Sequence, residues 1–117
     1  MEELPPQVQH QIAQLQQIQQ QVQAILTQKS QIELTLRETE RALEELEKLS
    51  DDAVIYRSIG ELLVKTDKNT VKNDLAEKKE TYTLRLKTLE KQEERIQARY
   101  KQLQEQLRQA LSTMKAG

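Results

Sequence analysis

The sequence predicts a mainly α fold: a long antiparallel two-helix coiled coil with a central β-hairpin, which is expected to join hairpins of other subunits in a shared sheet or barrel. Three observations carry that expectation. Apolar residues recur at alternating spacings of three and four toward both ends of the chain, which is the seam of a coiled coil. The repeat stops between about residues 50 and 70, where β-branched residues and a glycine gather instead. The 117 residues are 36% hydrophobic and 3% aromatic, with two Gly, two Pro and neither Trp nor Phe; long helices follow readily from this inventory and a deep globular core does not.

The first helix is expected over about 6–48. Pro5 and Pro6 suit its entry, because the first-turn amides have no partner inside the helix. With Val8 as an a position, the a/d series is Val8, Gln11, Leu15, Ile18, Val22, Ile25, Lys29, Ile32, Leu36, Thr39, Leu43 and Leu46, nine of the twelve apolar. The second helix is expected over about 70–114, with Asn69 or Thr70 as N-cap and Asp74 in the first turn to meet the helix dipole. Its series from Lys72 to Met114 has ten apolar residues in thirteen. At 1.5 Å per residue each helix is roughly 60–70 Å long.

Between them LSDDAVIYRSIGELLVKTDKNT changes period, and a β-hairpin is expected over 53–66. Gly60 sits where a tight turn needs positive φ. A hairpin returns the chain near its starting point, so the second helix runs back along the first and pairs Leu46 with Leu75, Ile25 with Ile96 and Val8 with Ala110. Lys29 and Glu93 interrupt the two seams and fall near each other in that register, a charge pair suited to holding alignment. Val54, Ile55 and Tyr56, with Leu62, Leu63 and Val64, put apolar groups on both hairpin faces. An isolated hairpin of that kind is marginal in water, so hairpins of other subunits are expected to cover it.

The end where the termini meet is also unusual. QVQHQIAQLQQIQQQVQAIL, residues 7–26, holds no acid, lysine or arginine, and residues 102–117 hold only Glu105, Arg108 and Lys115. Leu4 and Ile12 at one terminus and Leu111 at the other read as aliphatic groups beyond the needs of the seam. Removing aliphatic area from water contributes about 25 cal/mol per Å², and amides lose water without the cost of burying an ion. Such an end fits a partner that exposes apolar segments. Val8, Leu15, Ala110 and Met114 serve either this surface or the seam alone. The glutamine run keeps strict helical spacing, unlike a low-complexity segment. His10 reads as a surface residue and Asp51-Asp52 as a turn and cap pair.

Net charge is −1, so nothing directs the chain to nucleic acid. Without cysteine there is neither disulfide nor thiolate metal site. No apolar run is long enough for a membrane and no leader pattern is present, so a soluble, cytoplasmic protein is expected. No nucleotide loop, nucleophile arrangement or metal cluster is visible, so the expectation is no enzyme, no metal and no cofactor.

The segments LPPQVQHQIAQLQQIQQQ, ALEELEKLSDDAVIYRSIGELLVK and EKQEERIQARYKQLQEQL, in a helix, single hairpin, helix order over the full chain, resemble the beta class of prefoldin subunits. The resemblance implies a single prefoldin-like domain over 1–117 and a hexamer of two alpha-class and four beta-class subunits. It implies an ATP-independent holdase chaperone that captures unfolded proteins at coiled-coil tips and passes them to a group II chaperonin. Carried over by position, Val54, Ile55, Tyr56, Ile59, Leu62, Leu63 and Val64 would build the barrel interface. Leu4, Val8, Ile12, Leu15, Leu107, Leu111 and Met114 would form the client-binding tip. The alternative is a structural coiled-coil adaptor or tether that binds one specific folded partner.

Overall fold

A computed structural model describes residues 4–116, so the outermost positions of the expected domain, 1–3 and 117, lie outside the described residues. The elements are α1 (Pro6–Glu47), β1 (Ile55–Ile59), β2 (Leu62–Thr66) and α2 (Lys68–Ala116). Two long helices separated by one antiparallel hairpin are the arrangement that the heptad pattern and its interruption predict. The chain divides into two compact units, Met1–Lys29 with Thr88–Gly117, and Ser30–Lys87.

In the first unit α1 and α2 run antiparallel. Lys29 Nζ lies 3.4 Å from Glu93 Oε2, and Gln19 Nε2 donates to the Tyr100 hydroxyl at 2.9 Å. Stepping back along α1 from Lys29 to Gln19 thus steps forward along α2 from Glu93 to Tyr100. The core is the seam itself: Val8, Ile18, Ile25, Leu89 and Leu103 are buried here, all at a or d positions of the two series. Gln11 occupies a d position too, and its Oε1 is buried without a hydrogen-bond partner.

The second unit contains the hairpin and the adjoining parts of both helices. Leu46 and Thr39 are its buried seam residues. The Thr39 hydroxyl donates to the Thr35 carbonyl at 2.8 Å, which removes the cost of burying it. Glu47 pairs with Lys72 at 2.8 Å and Asp51 with Lys68 at 3.4 Å, again an antiparallel progression. Tyr82, also on the seam series, has Lys78 Nζ 5.8 Å and the Arg85 guanidinium 5.6 Å from its ring centre, within cation–π range.

The helix ends show how the elements start and stop. Gln9 N–H donates to the Pro5 carbonyl at 3.0 Å, so Pro6 is the first helical residue, where a missing amide costs nothing. α1 closes with a tightened turn, Leu49 N–H to the Leu46 carbonyl at 3.1 Å. The cap of α2 differs from the sequence expectation, being Asp67 rather than Asn69 or Thr70. Asp67 Oδ1 accepts from Thr70 N–H at 2.8 Å and Oδ2 from the Thr70 hydroxyl at 2.9 Å. A carboxylate directly after the strand both caps and complements the positive helix end, so the helix begins two residues earlier. Those bonds from Thr70 hold the Asp67 carboxyl below its ordinary pKa. Asp74 consequently lies beyond the first turn.

Candidate functional site

Two surfaces of the chain present apolar groups without covering them, one in each compact unit. The first is the hairpin. Its register pairs Ile55 with Thr66, Arg57 with Val64 and Ile59 with Leu62, leaving the two-residue loop Gly60-Glu61. Gly60 has φ 57° and no other residue has positive φ among those described, which is the pattern of a type II′ turn and matches the twist of the strands. Alternation along the strands puts Ile55, Arg57, Ile59, Leu62, Val64 and Thr66 on one face and Tyr56, Ser58, Leu63 and Lys65 on the other.

Six of the seven expected interface residues are exposed and Ile55 is half-buried. Leu62 and Leu63, on opposite faces, are 67% and 71% exposed, so neither face of the sheet is covered within this chain. Each strand also has a free edge, because the sheet contains only β1 and β2.

Polar contacts hold the hairpin on its helix. Arg57 Nη2 donates to Asp74 Oδ2 at 2.6 Å, tying β1 to the second turn of α2. Lys68 Nζ donates to the Leu49 carbonyl at 2.8 Å. The Lys72 ammonium beside Glu47 holds that carboxyl below the usual carboxylate range, and Glu47 in turn raises Lys72. The exposed ion pairs contribute little stability individually; Arg57–Asp74 joins the sheet to α2, and Lys72–Glu47 joins α1 to α2.

The second surface lies in the unit that contains both termini. Of the seven expected tip residues, Val8 is only 3% exposed and belongs to the closed seam. Ile12, Leu15, Leu107 and Leu111 are half-buried, while Leu4 and Met114 are exposed. Leu4 precedes α1, and its carbonyl accepts from Gln9 Nε2 at 2.7 Å. Arg108 pairs with Glu105 on the same helix and lowers that carboxyl's pKa, so two of the few charges at this end neutralise each other.

Residues that sequence reading did not single out also contribute. Gln19, Val22, Gln23, Gln97 and Tyr100 line a groove of about 430 Å³ between the helices of this unit, and Leu26 is 38% exposed in mid-helix. The heptad series already places Leu26 immediately after a d position, which was the available signal. Among the described residues no group of three or more His, Cys, Asp or Glu is placed to hold a metal ion. No helix among them is long and apolar enough to cross a membrane.

Comparison with known proteins places the chain in one family. A family model described as prefoldin subunit matches residues 9–113. The prefoldin subunit beta of Methanosarcina acetivorans is 61% identical over 93% of each chain, and that of Pyrococcus furiosus is 44% identical over the whole of both. The crystal structure of the prefoldin beta subunit from Thermococcus strain KS-1 superposes with a TM-score of 0.87 at 44% identity, covering 95% of this chain and 97% of that one. With near full-length matches in sequence and in fold, the chain belongs to the prefoldin family, in its beta-subunit class.

Proposed function

We propose that this chain is the beta-class subunit of a cytoplasmic, ATP-independent holdase, acting as one domain over residues 1–117. In this reading two alpha-class and four beta-class subunits form a hexamer. Val54, Ile55, Tyr56, Ile59, Leu62, Leu63 and Val64 enter a β-barrel shared with neighbouring subunits. Leu4, Val8, Ile12, Leu15, Leu107, Leu111 and Met114 form the client-binding tip, with Val8 reaching a client only where the seam opens. The complex delivers its clients to a group II chaperonin.

The observation that carries this reading is the pairing of surplus aliphatic groups with missing charge at the end holding both termini. Water leaves such a surface at little cost, whatever the sequence of the chain that displaces it. Several tips acting on one client multiply weak contacts through high effective concentration. No catalytic group and no cofactor is needed for capture, and release follows when the chaperonin competes for the same client surface.

The test is assembly with a candidate alpha-class subunit, followed by measurement of particle mass and of aggregation suppression for unrelated denatured proteins. The expected result is a hexamer that suppresses aggregation of several such proteins. A complex lacking residues 1–15 and 107–117 that suppresses as well as the intact one would overturn the tip assignment. Binding to one folded protein only would mark an adaptor instead.

A further inference from the structure

The heptad series place four polar residues in the seam of the unit formed by Met1–Lys29 and Thr88–Gly117, and three of them are partnered. Lys29 meets Glu93, and the Tyr100 hydroxyl accepts from Gln19. The fourth, Gln11, has its Oε1 buried and bonded to no group. An amide oxygen in that position has given up its bonds to water and gained none, so closing the seam around it is costly.

Gln11 lies about two turns outward of Gln19, and the same distance beyond Tyr100 on α2 reaches Leu107 and Arg108. Little holds the pair shut beyond that level. Val8 is buried there, Ile12, Leu107, Ala110 and Leu111 are half-buried, and Leu4 and Met114 stay exposed. Burying one valine and stranding one amide oxygen are effects of comparable size and opposite sign. Among the described residues no side-chain hydrogen bond or ion pair crosses between the helices outward of Gln19 and Tyr100. The polar contacts there stay within one terminus: Gln9 Nε2 donates to the Leu4 carbonyl at 2.7 Å, Arg108 Nε to Glu105 at 3.0 Å and the Thr113 hydroxyl to the Gln109 carbonyl at 3.0 Å. Parting the helices breaks none of these.

We propose that the outer part of this helix pair, from Gln11 and Leu107 to the ends, is a latch that opens separately from the inner seam, and that Gln11 sets its balance. On opening, the Gln11 amide regains its bonds to water, which offsets the lost burial of Val8. Inward of the latch Ile18, Ile25 and Leu103 are buried and the polar seam residues are paired. Opening therefore stops at the level of the Gln19–Tyr100 bond. A seam of the same length with an apolar residue at position 11 would have no such step. Local opening of this kind occurs far below the cost of global unfolding. The latch is a property of the chain itself, independent of what Val8 meets when it opens.

The chain has no cysteine, so a single introduced thiol reports opening where it stands. In the full-length chain Val8→Cys places the thiol behind the latch and Ile25→Cys places it in the inner seam. Its rate of reaction with a soluble aromatic disulfide follows the open fraction at each position. Gln11→Met keeps the length of the side chain and removes the amide. It should slow labelling at position 8 by roughly tenfold, the size of one stranded oxygen, and leave position 25 within about twofold. Gln11→Glu should speed labelling at position 8, because a carboxylate loses more on burial than an amide does. Circular dichroism confirms that each variant keeps its helices. Labelling at position 8 that Gln11→Met leaves unchanged overturns the latch. Equal slowing at positions 8 and 25 overturns it as well, since Gln11 would then act on the stability of the whole pair and not on a separate opening.

Discussion

Asp67 is the residue on which the second helix starts, and its role is open to a direct pH test. The bonds it accepts from Thr70 lower its carboxyl pKa in the folded state. A depressed folded pKa contributes stability above the ordinary aspartate value, about 3.9, and that contribution is lost as pH falls through the lower folded value. Hydrogen exchange at the Thr70 amide should therefore be several-fold slower in the parent than in Asp67→Ala at neutral pH, with the gap closing below about pH 4. Asp67→Asn, whose amide caps without titrating, should keep its advantage over alanine across that range. A parent advantage that ignores pH would show that the charge has no part in the cap. The cap was within reach of sequence: Asp67 stands directly before Lys68, but Asn69 and Thr70 compete with it by residue type, and only the end of β2 at Thr66 decides among them.

At the scale of elements, the Lys29–Glu93 pair and the hairpin pose different questions. Lys29 and Glu93 meet at 3.4 Å with side chains 23% and 18% exposed, where an unpaired charge is costly and a matched apolar pair is not. Lys29→Leu alone should destabilise the helix pair by about 1–2 kcal/mol in thermal unfolding, because Glu93 then faces the seam unpaired. Lys29→Leu with Glu93→Leu should recover that loss yet admit other registers, seen as extra species in sedimentation or as cross-links between cysteines placed out of register. A double variant with unchanged association would remove the alignment role. This pair was legible from heptad position and antiparallel register together, since both interruptions fall at a positions. The strand bounds were less legible: expected over 53–66, the ladder begins at Ile55, because Ala53 N–H is taken by the Ser50 carbonyl at 3.1 Å in the preceding turn.

At the scale of the whole molecule, the question is what the chain does with apolar area it does not bury. Family membership implies assembly with other prefoldin subunits, and the hairpin offers the area for it. Leu63→Glu on one hairpin face and Leu62→Glu on the other should each leave helicity of the isolated chain unchanged and prevent co-assembly with an alpha-class subunit. Full-mass complexes from both variants would exclude the barrel interface. The Arg57–Asp74 contact holds the sheet on α2.

The sequence alone determined the order of elements, the antiparallel return and the seam. Each of these follows from local periodicity, which 3.6 residues per helical turn and two per strand repeat make visible in one dimension. All seven residues buried among those described lie on the predicted seam series for that reason. Which seam residues close completely, as Val8 does, and which flank of the pair becomes a groove were decided by tertiary structure. An e position is only a place on one helix until the direction of its neighbour is set. Gln19 meets Tyr100 and opens onto Gln97, so that side of the seam carries a groove, which spacing along one helix could not assign.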